Sequence, residues 1–116
     1  PSNLLLAASL VIAVPSIVSA ADAPPKFDVD KSCRASFAAD KGAMKQSLDG
    51  CLADEKGAGN TIARDWATYP ARDRDHCEKL ATLGGTGSYV EMLTCLQIAR
   101  DTKTLPADIR KSGLPK

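Results

Sequence analysis

The sequence predicts an all-α fold, with small disulfide-stapled helical hairpins around one long central helix. Cys33 and Cys51 are 18 positions apart, and so are Cys77 and Cys95. A turn-forming segment lies midway between the cysteines of each pair. Apolar residues recur at intervals of three and four, and no alternating strand pattern is present. A chain that reverses midway between two cysteines brings them together, so the spacing predicts two hairpins, each closed by a disulfide.

An export signal is predicted at the start of the chain. The first 20 residues carry no charged side chain, and Leu4 to Val14 is an apolar run. That run is shorter than the roughly 18 to 20 residues of a membrane anchor, the alternative interpretation. Pro15 follows it, and Val18-Ser19-Ala20 provides the small residues of a cleavage site. We therefore expect a signal peptide over residues 1–20, and a periplasmic or secreted protein.

Four segments are predicted along the chain. After the signal peptide, residues 21–30 form an extended leader, because Pro24 and Pro25 exclude a helix. Residues 31–100 form a disulfide-bonded domain of four helices, and residues 101–116 form a flexible tail.

The first helix is expected over about residues 31–39, with Asp28, Asp30 or Ser32 as its N-cap. The central helix is expected over about residues 43–69, because its apolar positions keep helical phase across Gly57-Ala58-Gly59. Each glycine costs a helix about 1 kcal/mol relative to alanine. A break at Gly57 to Asn60 therefore stays open as the alternative.

Pro70 separates the central helix from the third, because proline ends a helix before it and favours the start of the next. Asp75 and Glu78 have capping-box spacing near that start, and Gly84 is a natural left-handed stop. Ser88 and Glu91 form a second capping box, from which the fourth helix is expected to run to about residue 100.

Four cysteines allow three pairings. Pairing of neighbours, Cys33 with Cys51 and Cys77 with Cys95, is favoured because a turn lies at each midpoint. Nested pairing stays open, but it needs the central helix to break. With a reversal near Tyr69-Pro70, an unbroken helix would place Cys51 and Cys77 apart by roughly 16 Å, against about 6 Å between the Cα atoms of a disulfide.

Composition excludes several function classes. The 15 basic and 14 acidic residues are mixed along the chain, so neither a nucleic acid nor, after signal cleavage, a membrane is expected as partner. Aromatic residues are few, so a large aromatic-lined pocket is not expected. His76 is the single histidine, and no pair of cysteines has the close spacing of a zinc or redox motif. We expect no metal, no cofactor and no enzymatic activity.

Two surfaces could contact a partner. Trp66 and Tyr69 lie one helical turn apart; they are expected to cap the core, but would anchor a partner if exposed. Gly84, Gly85 and Ser88 form the second surface, at a turn that leads into a helix. This turn is expected to close the second hairpin; binding of an anion at the helix N-terminus is the less favoured alternative.

The segment from Ser88 to Leu96, preceded by Gly84-Gly85, resembles a motif of small exported proteins of Gram-negative bacteria. So does the segment from Cys51 to Glu55, followed by Trp66 and Cys77. These uncharacterised proteins have four cysteines and are mostly helical, so the resemblance implies export and a helical fold, but no activity.

The expected function is that of an exported, non-enzymatic binding or interaction protein of unknown target, whose partner is another periplasmic protein. An inhibitor of a cell-wall hydrolase such as lysozyme is the alternative, by analogy with small disulfide-bonded inhibitors. A small enzyme is a third and less favoured class.

Overall fold

The computed structural model describes residues 23–40 and 47–112. The predicted signal peptide and its cleavage site therefore lie outside the described residues, as does most of the first hairpin turn. Five α-helices and one short 3₁₀ helix account for the regular structure described, which contains no strand. They are α1 (Val29–Asp40), α2 (Leu48–Asp65), the 3₁₀ helix (Trp66–Thr68), α3 (Ala71–Ala81), α4 (Tyr89–Thr104) and α5 (Ala107–Ser112). The predicted all-α class is confirmed.

Both disulfides join neighbouring cysteines. Cys33 bonds to Cys51 with a Cα–Cα distance of 5.8 Å, and Cys77 bonds to Cys95 with 5.5 Å. The favoured pairing is confirmed and the nested pairing is wrong. The first hairpin therefore consists of α1 and α2, and the second of α3 and α4.

The central helix passes through Gly57 and Gly59 without a break, as the apolar phase predicts. Its start differs from the prediction. Ser47 has an extended backbone, and its side chain accepts a hydrogen bond from the amide of Gly50 at 3.0 Å. Because this serine is the N-cap, α2 begins at Leu48, about five residues later than expected.

The other helix ends are set by local hydrogen bonds. The Asp28 carboxylate accepts from the amide of Lys31, so Asp28 is the N-cap among the three candidates and α1 begins at Val29. Ser88 caps α4 by accepting from the amide of Glu91 at 3.1 Å, as predicted. The box expected at Asp75 is wrong, because α3 already begins at Ala71, directly after Pro70.

Two further boundaries differ from the sequence analysis. The left-handed residue after α3 is Gly85, with a φ of 85°, and not Gly84. The helix α4 continues to Thr104 and α5 follows, so the boundary placed at residue 100 falls inside a helix.

The core lies where α2, α3 and α4 meet. It consists of Ile62, Trp66, Tyr69, Cys77, Ala81, Met92 and Leu96. Trp66 and Tyr69 are only 7% and 3% exposed, so they cap the core as expected and present no surface to a partner. No helix in the described ranges has the length and hydropathy needed to cross a membrane.

Candidate ligand-binding site

The extended leader is bound to the start of α4. Residues 23–28, here called the strap, contain Pro24 and Pro25 and are not helical. The hydroxyl of Tyr89 donates a hydrogen bond to the carbonyl of Pro25 at 3.0 Å and accepts one from the amide of Phe27 at 2.9 Å. One side chain of α4 thus uses both hydrogen-bonding functions of its hydroxyl to hold the strap.

Phe27 fixes the strap by packing as well. Its ring lies 4.7 Å from that of Tyr89, measured between centroids. A Cβ atom at Gly87 would clash with the Phe27 ring. The buried Ser32 then donates to the carbonyl of Gly87 at 2.5 Å, joining α1 to the same segment. Glycine at position 87 is therefore needed for the strap to lie where it does.

Gly59 plays a corresponding part on α2. A Cβ atom at this position would meet the Tyr89 ring at 3.1 Å, whereas one at Gly57 would meet nothing within 4 Å. The side chain of Tyr89 therefore lies directly against the backbone of α2. A glycine inside a helix costs about 1 kcal/mol relative to alanine. At position 59 this close approach explains why glycine is present, whereas no contact explains Gly57.

A groove of about 640 Å³ lies between the strap and α2, and we call it the strap groove. Its walls are mainly apolar, and three exposed charged residues also line it: Lys26, Lys56 and Asp30. The apolar walls include Pro24, Pro25, Phe27, Leu52, Ala63 and Tyr89. The scarcity of aromatic residues argued against such a pocket, but two of the five aromatic side chains are brought together in this one wall.

The charges at the strap groove are unequal. Asp30 is paired with Arg34 one turn further along α1, at 3.7 Å. Lys26 and Lys56 are exposed, and within the described part of the chain neither forms an ion pair. The groove therefore combines a mainly apolar lining with two lysines that have no ionic partner among the described residues.

Glu55 links the two hairpins and was missed by the sequence analysis. The residue is only 6% exposed. One carboxylate oxygen accepts from the Ser88 hydroxyl and the other from the Tyr89 amide, both at 2.6 Å. A carboxylate at this place is favoured by the positive end of the α4 dipole. The anion site considered at this helix N-terminus is thus occupied by the protein's own side chain.

The turn between α3 and α4 is only partly available as a surface. Gly84 and Gly85 are exposed, and Leu83 before them is 79% exposed, but Ser88 is engaged with Glu55. This turn borders a second groove of about 470 Å³, between α1 and the turn, which we call the turn groove. Whether the turn contacts a partner stays a prediction.

His76 lies in a third groove, of about 590 Å³, with the basic residues Arg72, Lys103 and Arg110. The buried Asp73 lies there too. A hydrogen bond from the Lys103 ammonium, with a smaller effect from Arg72, lowers the pKa of its carboxyl. This carboxylate is therefore already compensated. In residues 23–40 and 47–112, no group of three histidine, cysteine, aspartate or glutamate residues could hold a metal ion.

No protein-family model matches the chain, and no curated protein or solved structure is significantly similar to it. The resemblance to small exported four-cysteine proteins therefore stays a prediction. The function has to be argued from the site itself.

Proposed function

We propose that the protein is an exported, non-enzymatic binding module that takes its ligand in the strap groove. Two features support export: the apolar segment before the strap, and the pairing of all four cysteines as disulfides. Disulfides persist mainly in oxidising compartments such as the periplasm or the exterior of the cell. The ligand would then be a molecule of that compartment.

The observation that carries the proposal is the way the strap groove is built. Its volume of about 640 Å³ falls within the 300–1,000 Å³ typical of small-molecule sites, which are mostly apolar with a few polar groups. Gly59 and Gly87 provide the close approaches that form it, and Tyr89 holds the strap with two hydrogen bonds. A wall fixed in this way is largely formed before a ligand arrives, which lowers the entropic cost of binding.

Binding is favoured over catalysis because three chemically active side chains of the described residues are already engaged. Glu55 caps α4, Cys77 is bridged to Cys95, and the Asp73 carboxylate is held by Lys103. Among the described residues that line the strap groove, the one carboxylate is that of Asp30, which is paired with Arg34.

A titration with the neutral fluorescent dye N-phenyl-1-naphthylamine tests the proposal, because its emission rises in apolar sites. We expect a saturable rise with the wild-type protein. Ala63→Phe, which fills the groove from α2, should weaken dye binding at least about tenfold, as loss of roughly 1.4 kcal/mol would. Ala71→Phe adds the same ring at an exposed position of α3 that does not line the groove, and should bind like wild type. Equal binding by all three proteins would contradict the proposal.

The alternative of a cell-wall hydrolase inhibitor is favoured by one observation. Leu83 is 79% exposed on the turn before α4, as in a loop that enters the cleft of an enzyme. Lysozyme activity measured with and without the protein tests this function. Loss of inhibition in Leu83→Glu would support it, whereas no inhibition at micromolar protein would remove it.

A further inference from the structure

We propose that the strap groove binds an anionic amphiphile of the fatty-acid class. The acyl chain lies along the apolar walls, and the carboxylate lies at Lys26 and Lys56. This inference rests on the proposed function of the groove and adds the chemistry of its ligand.

The walls suit an acyl chain better than a peptide. On the α2 side the backbone donors and acceptors are used within the helix. On the strap side, the hydroxyl of Tyr89 is used by Pro25 and Phe27. Among the lining residues, Asn60 is the one uncharged polar side chain besides Tyr89. A bound peptide would leave most of its own backbone groups without partners, which is costly away from water. A hydrocarbon chain has no such groups.

The rim selects a negative headgroup. The single acidic residue that lines the groove, Asp30, is paired with Arg34, while Lys26 and Lys56 have no ionic partner among the residues described. Lysine stems can cover apolar surface while the ammonium groups stay in water. An anionic headgroup therefore meets two free charges where the apolar wall ends, and a cationic headgroup would be repelled by both.

The turn groove has the opposite character. Among the described residues, it is lined by Glu55 and Glu91 and by no basic side chain. An anion is therefore directed to the strap groove and away from the turn groove, although both lie beside the N-terminus of α4.

The test compares three amphiphiles with the same twelve-carbon chain: dodecanoate, dodecanol and dodecyltrimethylammonium. Each displaces the neutral dye from the wild-type protein at pH 8, below its micellar concentration. Exposed ion pairs are weak individually, so the two together should make dodecanoate bind about tenfold more tightly than dodecanol, a difference of about 1.4 kcal/mol. The cationic amphiphile should bind most weakly. Added salt should reduce the difference, because it screens exposed charges.

Two double variants distinguish the contribution of the ligand's headgroup to affinity from that of its acyl chain. The double variant Lys26→Gln with Lys56→Gln should lower the affinity for dodecanoate to that for dodecanol, and leave dodecanol binding unchanged. The control, Lys31→Gln with Lys79→Gln, removes the same charge from exposed sites outside the groove and should bind like wild type.

Failure of the fatty-acid inference can be distinguished from failure of the proposed function. Equal binding of dodecanoate and dodecanol by the wild-type protein, or an equal loss in the control variant, would overturn the inference. Dye binding that depends on Ala63 would then still support the groove as a site. Absence of dye binding would overturn the proposed function and the inference together.

Discussion

The two hairpins have the same covalent design and different surroundings. Each is closed by a disulfide between cysteines 18 residues apart. In the second hairpin, Cys77 is fully buried among core residues such as Met92 and Leu96. In the first, Cys33 is also buried, at 1% exposed, but it lies outside this core cluster, and Phe37 one turn after it is 52% exposed. The same cross-link therefore supports the core in one hairpin and attaches an outer helix in the other.

Because the surroundings of the two hairpins differ, substitutions that lower stability and substitutions that alter binding should fall in different parts of the molecule. Loops of equal length restrict the unfolded chain equally, so any difference between the disulfides comes from the folded state. The second hairpin packs with α2 to form the core. The first carries the strap in front of α1 and the wall of the strap groove on α2. Changes in the second hairpin should lower global stability, while changes in α1 or the strap should alter the groove with smaller effects on the core.

Removing the disulfides tests this contrast with the largest expected effect. Cys77→Ala with Cys95→Ala should lower the free energy of unfolding by about 3 kcal/mol, the value expected for a loop of this length. Cys33→Ala with Cys51→Ala should lower it less, because α1 can separate locally while the core stays folded. Urea unfolding of both double variants measures the difference. Equal losses would show that α1 unfolds together with the core.

Glu55→Gln weakens one of the contacts between the hairpins. The amide keeps the shape but loses the charge that accepts from the Ser88 hydroxyl and the Tyr89 amide, and it places a donor beside one of these groups. We expect a loss of about 1–3 kcal/mol, typical for a buried group left with an unsatisfied partner. Glu78→Gln, at an exposed position of α3, is the control and should stay within about 0.5 kcal/mol of wild type in the same urea titration.

Gly57 and Gly59 of α2 provide a matched pair of substitutions with a smaller expected effect. Gly57→Ala adds a methyl group into open space and should stabilise the protein by about 0.5–1 kcal/mol through helix propensity. Gly59→Ala should lose this gain, because its methyl group meets the Tyr89 ring at 3.1 Å. Thermal unfolding of the two variants measures the effect. An equal rise in Tm would mean that Tyr89 does not need the close approach at Gly59.

The Asp73–Lys103 pair should contribute a pH dependence within the second hairpin. Because Lys103 lowers the pKa of the folded Asp73 carboxyl, the stabilisation is present at neutral pH. It is lost as the pH falls below about 4, the usual range of aspartate, and through the lower folded value. Asp73→Asn and Lys103→Gln should each flatten the dependence of unfolding free energy on pH in this acid range. Lys111→Gln, at an exposed position of α5, should leave it unchanged. An unaltered slope in Asp73→Asn would contradict the assignment.

The sequence predicts the fold because the relevant signals are local. The cysteine spacing and the turn-forming residues midway in each pair predict the disulfides. The helical phase of the apolar residues predicts that α2 continues across Gly57 and Gly59. Ser88 is recognised as a cap because its partner, Glu91, is three residues away. Errors such as the start of α2 occur where an unrecognised cap, here Ser47, decides between neighbouring positions.

The candidate site depends on contacts between distant residues, which periodicity does not report. Glu55 lies on an ordinary helical segment, and its burial follows only from the position of Ser88, 33 residues later. The strap reaches Tyr89 across more than 60 residues. One signal was present: Gly59 costs helical stability without any local reason, and such a residue often marks a place where another side chain approaches closely. Gly57 gives the same signal although nothing approaches it within 4 Å, so a glycine in a helix does not by itself identify a close contact.

The most direct test of a ligand site on the strap side is amide hydrogen exchange of the wild-type protein with and without saturating N-phenyl-1-naphthylamine. The account predicts slower exchange within residues 23–30 and 52–63, including the Phe27 amide that Tyr89 holds. Slower exchange confined to residues 82–87 would instead place the bound molecule at the turn and contradict the account.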